Sequence, residues 1–157
     1  MELFRNLLQR KPRNTPLPII TRIAVGVELF ISVGAVFGGG QFMMAPDGHL
    51  IGISVNVLVN SPFSSFFIPG LVLFAFIGLG PIAAAILSYR RPAVAPIAAA
   101  IVGFILTGWV TVEMVMLAGP TSLLWAVYLV LGAGLASLGL ASSMATSGRA
   151  TLSAPPA

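Results

Sequence analysis

The sequence predicts an all-α fold: a four-transmembrane-helix bundle with a long extracytoplasmic loop between helices 1 and 2. Three observations carry that prediction. The chain is 57% hydrophobic and only 8% charged, whereas soluble domains carry roughly 25% charged residues, and its mean hydropathy is +1.02. Four long apolar stretches occupy about 19–40, 68–88, 93–118 and 122–144. Each reaches the ~20 residues that cross ~30 Å of hydrocarbon as a helix. Finally, once these four spans are threaded, all 8 Lys and Arg residues fall on one side.

The elements follow in order. Residues 1–18 form a basic leader, in which "MELFRNLLQR" suits a short amphipathic turn on a membrane surface. The span 19–40 is a poor signal peptide, since its leader is long, it contains Glu28 and no A-x-A site follows. The loop 41–67 opens with the turn signal Pro46-Asp47-Gly48. Within 50–60 the β-branched residues fit either a strand or one face of a short interfacial helix, with the helix slightly preferred. Ser61 and Pro62 look like an N-cap and first helical residue, and Pro69 starts or kinks the second span. The apolar side chains of this loop are expected to lie back on the membrane surface rather than stand in water.

The second span, 68–88, closes on Tyr89 and the Arg90-Arg91 pair; the third, 93–118, and fourth, 122–144, are joined almost directly, with Trp125 and Tyr128 at the outer interface. Residues 145–157, rich in Ser, Ala and Pro, are expected to be a disordered tail. The basic residues lie in the leader, at Arg22, at Arg90 and Arg91, and at Arg149. The positive-inside rule therefore puts both termini in the cytoplasm. The net charge of +4 and pI near 10.8 reflect this topology and not nucleic-acid binding.

Composition excludes much chemistry. There are no cysteines and a single histidine, His49, so a disulfide framework, a thiolate or histidine metal site and a haem pair are not expected. No phosphate loop, nucleophile elbow or HExxH is present. No cofactor, no metal and no catalytic group is assigned, and the chain reads as non-enzymatic.

The polar groups inside the spans are the candidate site. Glu28 lies about 18 Å from the outer end of helix 1, near mid-bilayer. The same depth reaches Gly78 to Pro81 on helix 2, Thr107 on helix 3 and Gly132 on helix 4. An ionised carboxyl there costs several kcal/mol unless paired. Glu28 is therefore expected to be the neutral acid, pinned by a hydrogen bond to Thr107 or to the Ile77 carbonyl freed by Pro81, with Ser32 as a local alternative. On that reading Glu28→Leu loosens the bundle. Glu113 lies closer to the outer end and is expected to reach interfacial water. Gly34, Gly38, Gly78 and Gly132 are expected to serve helix packing, with Pro81 as a kink. Asp47 and His49 look like a surface pair.

Several motifs carry a resemblance. Pro46-Asp47-Gly48, Ser61-Pro62-Phe63, Ile68-Pro69-Gly70 with Gly78, and "WVTVE" at 109–113 resemble a group of small bacterial four-helix membrane proteins without assigned function. The resemblance spans about 19–140 and implies a bacterial inner-membrane location and no activity. A lone glutamate in helix 1 is also similar to small multidrug transporters, although this chain is longer and has its long outer loop. The expected role is that of a structural or accessory partner in a membrane assembly, with a membrane-protein partner or a homo-oligomer in the lipid bilayer. The alternative is a small proton- or cation-coupled transporter using Glu28.

Overall fold

The computed structural model describes residues 17–117 and 123–152. Among them there is no strand; the chain is all helix and turn. Four helices are long and apolar enough to cross a membrane. We label them α1, Ile19–Met44; α2, Phe67–Arg90; α3, Ala95–Met116; and α4, Leu123–Leu152. The amphipathic leader expected at the N-terminus lies outside the described residues. The fourth helix continues to Leu152, well past the 144 expected from hydropathy. Only 153–157 of the expected disordered tail lies outside the description.

The long side chains at the centre form one apolar core. Ile31, Ile77, Leu106, Val110 and Leu135, one or two from each helix, are almost completely buried. Around it the helices meet where side chains are smallest. A methyl group at Gly39 would stand 2.7 Å from the Gly70 carbonyl oxygen and 2.7 Å from the Phe74 nitrogen; one at Gly78 would stand 2.8 Å from Val36. These contacts zip α1 to α2. On the other pair, Gly103 faces Ala136 and Gly132, while Gly139 faces the Pro96 carbonyl and Ala100. Such close backbone approach is how helices associate where burial in lipid gives no hydrophobic drive. Of the glycines expected to pack, Gly78 and Gly132 do so through backbone. Gly38 makes only ordinary contact with Leu73, and Gly34 meets the flexible hydroxyl end of Tyr128.

Pro81 acts differently from a simple kink. The stretch Leu73–Leu79 is π-helical, ending with the Gly80 N–H bonded to the Ala75 carbonyl. A proline cannot donate to the ladder, and the widened turns just before it absorb that gap. The result is a wide-turn insert in α2, a feature found mostly as single π-bulges.

The connection between α1 and α2 is neither strand nor regular helix over 50–60. Val55–Leu58 makes one 3-10 turn, capped by the Ser54 hydroxyl, which accepts from the Asn56 N–H. Gly48 takes φ +81, and a side chain there would strike the Ile53 carbonyl. The loop is closed by the Phe66 N–H bonding the Pro46 carbonyl at 2.8 Å and by the Phe42 and Phe66 rings stacked 4.7 Å apart. Ser61 does not cap a helix at Pro62. Its hydroxyl accepts from the Phe63 N–H at 3.3 Å in a local turn, and the helix begins only at Phe67, after Phe66 has docked. Leu58 and Phe66 are buried, whereas Leu50, Ile53 and Val59 are exposed.

Candidate functional site

The two carboxyls inside the spans are treated in opposite ways. Glu28 projects from α1 into the bundle and is 1% exposed. Neither of its oxygens has a hydrogen-bond partner, and Ser32, one turn on, is equally buried with an unpartnered hydroxyl. The expected pins are therefore absent. The Thr107 hydroxyl donates instead to the Gly103 carbonyl of its own helix at 2.8 Å. The Ile77 carbonyl and Ser32 receive nothing from Glu28.

The reason is one of level. Helix α1 ends at Met44 rather than 40, so Glu28 lies about 24 Å from that end instead of 18 Å. The neighbours at that depth are Ala99 on α3 and Gly139 on α4, not Thr107 and Gly132. The π-helical stretch, which fits more residues into each turn, brings Ser88 of α2 to the same place. Glu28 thus lines a cavity of about 20 Å³ together with Thr21, Ser88, Ala95, Ala99, Gly139 and Ser142. That is room for one water-sized occupant. Ile20 and Thr21 lead it toward the end of the bundle that carries Arg22, Arg90 and Arg91. Arg22 forms no ion pair with Glu28.

Thr21, Ser88, Gly139 and Ser142 escaped sequence reasoning. The first was legible: Thr21, Glu28 and Ser32 recur at seven and four residues and so share one helical face. Ser88, flanked by Leu87 and Tyr89, and Ser142, in a run of Ala and Ser, carry no local signal.

Glu113 occupies the other end of α3, about 20 Å further along the axis than Ala99. Its Oε1 accepts from the Trp109 Nε1 at 2.7 Å, and the Trp125 side chain of α4 faces the same carboxyl. Glu113 is half-buried near the end of α3, with one carboxyl oxygen held by an indole of its own helix. Tyr128 and Trp125 also pack on the core beside it.

No family model matches the chain, and no curated protein or solved structure does either. Function has to be read from the side chains themselves. Among the described residues no group of three or more His, Cys, Asp and Glu is placed to hold a metal ion. Asp47 and His49 meet on the surface of the loop, with Nδ1 2.6 Å from Oδ1 and both side chains 66% exposed. The hydrogen bond from His49 holds the Asp47 carboxyl below the usual carboxylate range.

A second, larger crevice of about 370 Å³ opens between α2 and α3, beside Pro81 and the π-helical turns. Its walls, including Phe76, Ile97, Ile101 and Ile105, are apolar. It offers no polar group with which to orient a ligand.

Proposed function

We propose that the chain is a multi-pass, non-enzymatic protein of the bacterial cytoplasmic membrane, with both termini in the cytoplasm, and that it works through reversible ion binding at Glu28, as a small proton- or cation-coupled transporter. One observation supports this reading above the alternatives: a carboxyl buried among four apolar helices, with both oxygens unpartnered, borders a small cavity that Thr21, Ser88 and Ser142 also line. Ionisable residues inside spanning segments are rare and mark ion or substrate pathways. Here the structural use of such a group is already taken by Glu113. The orientation is supported by the placement of all 8 basic residues, and the bacterial location by the motif resemblance.

The test is proton release from detergent-solubilised protein when candidate cationic compounds are added. Release should depend on Glu28 and vanish in Glu28→Gln. Release that survives in the Gln variant overturns the assignment. Reporter fusions within 46–65 should report outside and fusions after Arg91 inside; a cytoplasmic signal from the loop overturns the topology.

A structural or accessory role in a membrane assembly is the second reading. Gly26, Gly108 and Gly134 are exposed with nothing within 4 Å of where a side chain would stand. Bare backbone of this kind suits a second helix better than lipid. Purification from native membranes tests it, since a stoichiometric co-purifying protein or a homo-oligomer is its expected outcome.

A further inference from the structure

We infer that the Glu28 cavity is a binding site for a single dehydrated monovalent metal ion of sodium size, held by the Glu28 carboxylate and the hydroxyls that surround it. The inference rests on Glu28 being the working carboxyl and goes on to name its ligand.

The donor set gives the chemical class. Every polar side chain lining the cavity offers oxygen: the carboxyl of Glu28 and the hydroxyls of Thr21, Ser88 and Ser142. No nitrogen or sulfur side chain is present there, which favours a hard cation over a transition metal. Charge then fixes the valence. A single carboxylate balances one positive charge, and a divalent ion would leave a net charge among apolar helices, a costly arrangement. Size narrows it further. About 20 Å³ accepts one water-sized body, so a hydrated ion does not fit, and an organic cation would have to part the helices to reach Glu28. The α3 wall is built from Ala95, Pro96 and Ala99, and the α4 wall is opened by Gly139, so small residues leave this space.

The same geometry makes protons compete with the ion, because protonating Glu28 removes the charge that balances it. No other titratable side chain lines the cavity. On α1 the nearest is Arg22, six residues away; toward the same end α2 carries Tyr89 and Arg90, followed by Arg91, all exposed. The α3 residues that line it are Ala95, Pro96 and Ala99, and those of α4 are Leu138, Gly139 and Ser142, none of which titrates.

The test compares the purified wild-type protein in sodium, potassium and choline chloride at equal ionic strength and mildly alkaline pH. Sodium should raise Tm in a saturable way, as any ligand of the folded state does, and choline should not. Acidification should raise the sodium concentration needed. A hydrophobic carbodiimide, which attacks protonated carboxyls, should modify Glu28 in choline, and sodium should slow that modification about tenfold when present at about ten times its Kd. This second readout needs no variant, so it stands even if Glu28→Gln fails to fold. Ser88→Ala should weaken the sodium effect while leaving the carbodiimide reaction in choline intact. Equal Tm and equal modification in sodium and choline would mean a water beside a neutral acid, and would overturn the inference. Compound-driven proton release that still depends on Glu28 would then leave the proton-coupled reading standing, so the two failures can be told apart.

Discussion

Glu113 and Glu28 are the two carboxyls within the apolar helices, and they teach different lessons about what a buried acid does. Glu113 sits three residues from the end of α3, where the Trp109 indole donates to it and the Trp125 side chain of α4 faces it. Its surroundings explain its presence as packing. Glu28 lies about 20 Å away along the bundle axis, more deeply buried and with no partner at all. A polar group in that state costs stability, so the fold does not account for it. The carboxyl that does find a donor is the other one, and that donor stands one turn away on its own helix.

The largest test of this contrast concerns the seam that forms the Glu28 cavity. Gly139→Leu drives a side chain into the Pro96 carbonyl and the Ala100 backbone. Backbone cannot step aside as a side-chain tip can, so we expect a loss of about 3 kcal/mol or more, read as a collapse of Tm in detergent. Gly134→Leu, on the open face of the same helix, should be tolerated. Equal tolerance at both positions would show that α3 and α4 do not meet along this seam.

The next effect separates the carboxyls directly. Glu113→Leu leaves Trp109 without its acceptor and should cost about 0.6–2 kcal/mol, the range of hydrogen bonds inside membrane bundles. Glu28→Leu, compared without sodium, exchanges an unpartnered acid for an apolar side chain of similar size. It should leave Tm unchanged or raised, not loosen the bundle as the sequence alone implied. A loss at Glu28 equal to that at Glu113 would erase the distinction between them.

The smallest effect belongs to the loop. The hydrogen bond from His49 lowers the Asp47 carboxyl, so its contribution is present above the usual carboxylate range and is lost as pH falls through the lowered value. Both side chains are largely exposed, and such pairs are worth little. Asp47→Asn should change Tm barely at neutral pH and not at all in acid. Phe66→Asp, which removes a buried ring from its stack on Phe42, should be far more damaging. If the two variants behaved alike, the loop would not be anchored through Phe66.

Much of this was legible in the chain. Hydropathy alone placed four helices, because each helix satisfies its own backbone and needs only enough consecutive apolar residues. It also marked Glu28 as the residue out of place, since a carboxyl between Val27 and Leu29 contradicts everything around it. What the sequence could not determine is which groups share a level. Four further residues on α1, a widened helix before Pro81 and the glycine contacts at 39, 70, 103 and 139 set how far the helices slide past one another. Those offsets moved Glu28 from Thr107 to Ser88 and set Trp125 facing Glu113. Whether a helix forms is decided within one stretch of chain, but what surrounds a buried acid depends on side chains that meet only after all four helices have packed.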